Sequence, residues 1–369
     1  MKVAIVLNTS WNVYNFRMGL IKALQKAGHE IVVISPYDQY SEKIIDAGCE
    51  YHKVKMDSRG ANPIKDTALL FELFFKYRKI KPDVILHYTI KPNIYGTIAS
   101  TLLGIPAVNN VCGLGTVFLN ENLVSKIAGW MYRIAFRYPK KVFFQNSDDL
   151  DLFVRKQLIK SSVSEVIPGS GINVSHFTPD NNHKKNDRFT FLLISRLIHD
   201  KGILEYIEAI KSMRSEGINA RFQLLGAKDI KHKRGIDEAI IDDWISNNTV
   251  EYLGKTDDVR PFIHNADCIV LPSYREGTPR TLLEAASSAK PIVATDVPGC
   301  KNVVEHKYNG LLCELKDSGD LARKMTEMMN LDEHVIRKLG INGRKKVERE
   351  FSESFVIDKY LSCLNDLQK

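Results

Sequence analysis

The chain has 369 residues, 44% of them hydrophobic and 26% charged, with a formal net charge of +8. That length exceeds one ordinary core and suits two domains of roughly 150–180 residues, and the apolar content excludes wholesale disorder. No apolar run approaches the ~20 residues of a membrane-spanning helix, and six scattered cysteines without a C-x-x-C pair exclude a zinc or disulfide framework. The cysteines read as reduced thiols of a cytoplasmic protein.

The opening run, Met1 to Asn8, reads as a first strand rather than a cleavable leader. Short Val/Ile/Leu-rich runs then recur at 31–35, 84–87, 107–110 and 142–145, separated by amphipathic stretches at 16–27, 66–79, 94–103 and 123–137. Strands that lack polar alternation, spaced by helical patterns, predict a parallel sheet covered on both faces. Residues 167–188, opening with Ile167-Pro168-Gly169-Ser170-Gly171, are rich in Gly, Pro, Asn and charge and read as a linker. The alternation resumes at 189–195 and continues through 221–225, 268–271, 291–295 and 310–313. The fold class is therefore α/β: two tandem Rossmann-like, doubly wound domains, 1–166 and 189–350, facing a cleft. Such sheets take ligands at the carboxyl ends of their strands.

Charge divides unevenly between the halves. Residues 1–165 carry 22 Lys and Arg against 14 Asp and Glu, while the remainder carries 30 of each. A cationic half points to a polyanion, an anionic membrane or a phosphorylated substrate.

Two stretches of the second half carry chemistry. After the strand at 268–271 come Glu276, Gly277, Thr278, Pro279, Arg280, Thr281 and Glu284. Thr278 is placed to cap a helix with Pro279 in its first turn. The amides of Gly277, Arg280 and Thr281 would then face an anion, phosphate above all. A capped helix with two surface glutamates is the alternative. After the strand at 189–195, Arg196 and Lys201 stand five residues apart, a spacing that suits a diphosphate, with a solvated basic loop as the alternative.

Arg196 and Lys201 followed by Glu276-Gly277-x-Pro279-x4-Glu284 resemble the signature of family 4 retaining glycosyltransferases, which have the GT-B fold. The resemblance covers nearly the whole chain, with 167–188 matching the interdomain segment and 351–369 a last helix returning to the first domain. It implies that Arg196 and Lys201 neutralise a nucleotide diphosphate and that Glu284 binds the ribose hydroxyls. Glu276 would hold the hydroxyls of the donor sugar, and the amides from Gly277 to Thr281, Thr278 and Arg280 included, would meet the distal phosphate. Such a set stabilises a leaving group that gains negative charge, so no metal or other cofactor is expected. Asp149-Leu150-Asp151 spells D-x-D, yet it follows Asn146-Ser147 and reads as a helix start.

On the acceptor side, the loops His87–Gly96 and Cys112–Thr116 resemble those of the subgroup that builds bacterial capsule, O-antigen and related lipid-linked glycans, while Thr9–Arg17 occupies the family's first acceptor loop but departs from its common paired-glycine form. That resemblance implies acceptor contacts at Asn12, Tyr14, Lys91, Gly113 and Gly115, with Lys91 facing an acceptor diphosphate. Many members carry a histidine near the reacting centre, which makes His87 a catalytic candidate beside Glu276. A histidine packed at a strand end is the alternative. The leaving phosphate would itself take the acceptor's proton, and no catalytic base is assigned.

Cations and aromatics interleave at 122–141, through Lys126, Trp130, Arg133, Arg137 and Lys140, as on an interfacial helix. The expected partners are thus a nucleotide sugar, the UDP form preferred, a lipid-linked saccharide, and the anionic inner face of the cell membrane. No nucleic-acid motif accompanies the charge. A soluble acceptor, or a non-catalytic two-domain nucleotide or polyanion binder, is the alternative function.

Overall fold

Val3, Ala4, Ile5 and Val6 are all fully buried, which is why the first strand shows no polar alternation: both sheet faces are covered. The computed structural model describes residues 1–57, 62–114, 123–180, 187–230, 232 and 234–368. The chain divides into two units, Met1–Ser170 with Glu353–Lys369, and Gly171–Ser352.

The first unit holds β1 (Lys2–Val6), β2 (Glu30–Ser35), β3 (Glu50–Lys53), β4 (Val84–Tyr88), β5 (Ala107–Val111), β6 (Lys141–Phe144) and β7 (Ser164–Val166). They form one parallel sheet ordered β3-β2-β1-β4-β5-β6-β7. Its helices are α1 (Ser10–Lys26), α2 (Ser41–Asp46), α3 (Pro63–Ile80), α4 (Thr97–Leu102), α5 (Leu123–Ala135) and α6 (Ser147–Arg155). Val3, Ile5 and Phe143 pack on one face against α1, and against Tyr360 and Leu364 of the last helix. Ala4, Val6, Val142 and Phe144 face the other way, under Leu73 and Tyr77 of α3 and Tyr132 of α5.

The second unit holds β8 (Thr190–Ile194), β9 (Arg221–Leu225), β10 (Glu251–Tyr252), β11 (Cys268–Leu271), β12 (Ile292–Thr295) and β13 (Gly310–Cys313). These too are parallel, ordered β10-β9-β8-β11-β12-β13. Its helices are α7 (Ile203–Ser215), α8 (Glu238–Ser246), α9 (Arg260–Asn265), α10 (Arg280–Ser287), α11 (Cys300–Val303), α12 (Ser318–Met329) and α13 (Glu333–Glu350). The last helix, α14 (Glu353–Gln368), belongs to the first unit, where Val356, Tyr360 and Leu364 are buried. In each sheet the chain runs outward from the first strand and then jumps to its other side. The switch points, where such sheets open a ligand crevice, are therefore β1/β4 and β8/β11.

The expected linker does not stand apart. Ile172 and Phe177 are buried in the core of the second unit, and the Ile172 amide donates to the Phe351 carbonyl at 2.8 Å. The chain thus passes from the first unit to the second at 170/171 and back at 352/353, not across a solvated tether. Residues 9–17, expected as a loop before a helix, instead form the beginning of α1. Thr9 caps it by accepting from the Asn12 amide at 3.1 Å. The short edge strands β3, β7 and β10 have no apolar run to announce them.

Candidate active site

In the second unit, the loops after β8, β11 and β12 are drawn together by close backbone approaches. Gly202, with φ +69°, ends the turn that carries Lys201; a Cβ there would lie 2.0 Å from the Pro272 carbonyl oxygen. Gly299, with φ +87°, does the same against Glu276, whose carbonyl oxygen would be 2.6 Å from an added Cβ. Only glycine permits both approaches. The Tyr274 amide donates to the Asp200 carbonyl at 2.9 Å, and the Glu276 amide to the Pro298 carbonyl at 3.1 Å. These glycines and ties were not singled out in the sequence; a glycine just after a functional cation or just after a strand was the available signal.

That scaffold places the predicted donor residues at the β8/β11 switch point. Lys201 and Glu276 form an ion pair, their side chains 20% and 13% exposed, so each charge is held ready by the other. Arg196 is 55% exposed, with Nη1 3.5 Å from Asp229 Oδ2. Thr281 Oγ1 donates to the carbonyl of Ile194, the last residue of β8, at 3.2 Å. Glu284 lies one turn further along α10 and accepts from Arg280 Nε at 3.1 Å. Burial pushes the Glu284 carboxyl above its ordinary value, against the opposing pull of Arg280.

One expectation for this stretch is corrected. Thr278 is not the helix cap: Pro279 is, with extended ψ of 115°, and its carbonyl accepts from the Leu282 and Leu283 amides at 3.1 and 3.3 Å. Proline's fixed φ starts α10 at Arg280 without a side-chain cap. The Arg280 side chain turns along its own helix to Glu284, and its Nη1 donates to the Gly171 carbonyl at 3.1 Å. It shapes Glu284 directly.

The acceptor residues of the first unit fare differently. Asn12 sits in the first turns of α1, and Tyr14 packs beside Tyr40 with ring centroids 5.6 Å apart. Lys91 Nζ pairs with the buried Asp66 at 2.7 Å. Gly113 adopts φ +109°, whereas Gly115 lies outside the described residues. His87 is corrected from catalytic candidate to core residue. It is fully buried at the end of β4, with Nε2 3.0 Å from the Tyr77 hydroxyl and Nδ1 3.0 Å from Asn109 Oδ1.

Burial pulls the His87 imidazole down to about 4. The unfolded chain takes up a proton near pH 6.5 that the fold refuses until about pH 4, so stability is complete above 6.5 and falls on acidification. On the order of 3 kcal/mol is at stake across that window. His87→Gln should flatten the loss of thermal stability between these pH values. Its turnover should stay within a few-fold of wild type, not fall the roughly 10²–10⁴-fold that loss of a general acid or base brings.

Asp149 is buried in the first turn of α6, its amide bonded at 2.8 Å to Asn146 Oδ1, and Asp151 is exposed. Among the described residues, no three His, Cys, Asp or Glu side chains gather as a metal site.

Solved structures share this fold. A glycosyltransferase from Rickettsia africae superposes with a TM-score of 0.80 at 18% identity, covering 100% of this chain and 98% of that one. The Anabaena protein HepE, in complex with UDP and glucose, gives 0.81 at 17%, covering 99% of each. Two parallel α/β units of this kind are the GT-B fold of glycosyltransferases. The family is shown by sequence: the model described as "Glycosyl transferase 4-like" matches residues 2–146, and "Glycosyl transferases group 1" matches 188–330. The chain belongs to this glycosyltransferase family, and it is an enzyme of that kind. It is similar to the N,N'-diacetylbacillosaminyl-diphospho-undecaprenol alpha-1,3-N-acetylgalactosaminyltransferase of Campylobacter jejuni, 28% identical over 100% of both chains. It also resembles the Escherichia coli UDP-Gal:alpha-D-GlcNAc-diphosphoundecaprenol alpha-1,3-galactosyltransferase, 24% identical over 84% of this chain and 82% of that one.

Proposed function

We propose that the protein transfers a hexose or N-acetylhexosamine, with retention, from a UDP-sugar to a polyprenyl-diphosphate-linked saccharide in cell-surface glycan assembly. The carrying observation is the pairing of Lys201 with Glu276 at the β8/β11 switch point, beside Arg196 and ahead of Glu284 on α10. Lys201 and Arg196 supply charge for the diphosphate, Glu284 receives the ribose hydroxyls, and Glu276 the donor sugar. Cation and helix-start charge take the place a metal would otherwise fill at the leaving group. The acceptor follows the two curated relatives, whose names both carry a diphospho-undecaprenol saccharide. Incubating the full chain with UDP-sugars and a polyprenyl-diphosphate saccharide in EDTA tests all of this together. An alpha-linked product from an alpha-linked UDP-sugar is expected; activity restored only by Mn2+ or Mg2+ overturns metal independence, and a beta-linked product overturns retention.

The acceptor's lipid places the work at a membrane, proposed as the anionic inner face. No helix among the described residues is long and apolar enough to cross one. What favours peripheral contact is the outer side of α5. Trp130 is 65% exposed and Ile127 51%, near the exposed Lys126 and Arg137, while Tyr132 and Phe136 point into the core. Ile64, Phe71 and Phe75 of α3, over the same sheet face, are exposed as well. Lys141 is less suited to lipid, being paired with Glu165 at 2.6 Å. Combining Trp130→Ser, Arg137→Gln and Lys140→Gln should lower partitioning onto anionic vesicles about tenfold or more and weaken its salt dependence. UDP affinity should not change.

A further inference from the structure

Arg17 is the one charged member of the stripe by which α1 is buried, among Val13, Leu20, Ile21 and Leu24. It is 4% exposed. Its guanidinium carbon stands 4.4 Å from the centroid of the Tyr88 ring, and among the described residues Nη2 reaches the Cys112 sulfur, at 3.7 Å. Nε is buried with no hydrogen-bond partner. The titratable groups that face it are Cys112, Tyr88 and Tyr360, and among the described residues no carboxylate pairs with it. A guanidinium buried without a counter-ion opposes folding, and such a charge persists where a ligand supplies the anion.

Its position agrees. α1 follows β1 and Tyr88 ends β4, so Arg17 stands at the switch point of the first sheet, as Lys201 and Glu276 do in the second. Further buried polar atoms without a partner sit on the same two connections, among them Asn12 Oδ1 on α1 and Thr89 Oγ1 just after β4. Thr89 also holds φ +66°, a conformation disfavoured for a branched residue. Lys91, the cation expected to meet an acceptor phosphate, is already answered by Asp66.

We propose that Arg17 is an anion-binding residue that grips a phosphate of the acceptor's diphosphate through its Nε edge, with Thr89 and Asn12 as neighbouring polar contacts. This rests on the reading that the acceptor carries a diphosphate. The planar fork of arginine suits phosphate oxygens bidentately, and the Tyr88 face holds it in plane.

The test uses the full chain with saturating UDP, which fills the donor site. Millimolar inorganic pyrophosphate should raise the melting temperature of wild type but not of Arg17→Met, with Arg17→Lys in between. Arg17→Met without pyrophosphate should melt no lower than wild type, since it removes an uncompensated charge. Cys112→Ala should keep the pyrophosphate response. For a polyprenyl-diphosphate saccharide, KM should rise about tenfold or more in Arg17→Met, while Kd for UDP is unchanged. Equal responses to pyrophosphate, no response in wild type, or an Arg17→Met that melts well below wild type or fails to fold overturns the anion site. A response that appears only in Cys112→Ala does so too, because the Cys112 sulfur then occupies the guanidinium in wild type. An Arg17-dependent pyrophosphate effect with unchanged acceptor KM reassigns the site to free phosphate and overturns the acceptor part. If wild type uses no lipid-linked acceptor while the pyrophosphate effect stands, the proposed function fails and the anion site does not.

Discussion

Glu276→Ala is expected to lower kcat about 10²-fold at saturating donor and acceptor, the scale on which misplacing a reacting group costs turnover. The Glu276 backbone is tied to residues 298 and 299, and its carboxylate is paired with Lys201. Both restraints keep the carboxylate in one place before any sugar arrives, so binding need not order it. Glu276→Gln keeps shape and loses charge, and should fall between wild type and alanine. Lys201→Ala should act mainly on donor KM, through the lost point charge. Because the two side chains touch, the double variant should lose less than the product of the single effects. Circular dichroism and steady-state kinetics check the set. A Glu276→Ala enzyme with near-wild-type kcat removes this carboxylate from the chemistry.

Glu284→Ala should instead weaken UDP binding, by roughly 10- to 150-fold if one charge-assisted hydrogen bond to ribose is lost. Turnover at saturating donor should change far less, since ribose is bound alike before and during transfer. The raised carboxyl pKa adds a pH test whose sign follows directly. If the ionised form accepts the ribose hydroxyls as proposed, UDP affinity should fall as pH drops through the raised value, and Glu284→Gln should remove that dependence. For the empty fold the sign reverses. The native state holds this proton more tightly than the unfolded chain, so ionisation at neutral pH subtracts stability. Titration calorimetry with UDP from pH 7 downward separates the two; pH-independent affinity in wild type sinks the ribose role.

Glu276, Glu284, Arg196 and Lys201 were legible because spacing along the chain is what carries them. Arg196, Lys201 and Glu276 each follow a buried aliphatic strand by a few residues, Glu284 lies on the helix beyond, and a parallel sheet brings such strand ends to one edge. The parallel α/β order was legible for the same reason, since strands covered on both faces cannot alternate in polarity. The helix cap at Pro279 was not, because Thr278 and Pro279 both suit a helix start and only the backbone ψ chooses between them. Local sequence was equally silent on partners. Lys91 and Arg17 are both single cations near polar residues, yet folding sets Asp66 against one and an aromatic ring against the other. His87 followed the expected strand and still became core, because α3 and β5 deliver Tyr77 and Asn109 to its two nitrogens. The chain by itself determined the parallel α/β order and which charged residues follow which strands. Tertiary structure alone decided which charge is paired with which, because partners such as Lys201 and Glu276 or Lys91 and Asp66 are tens of positions apart.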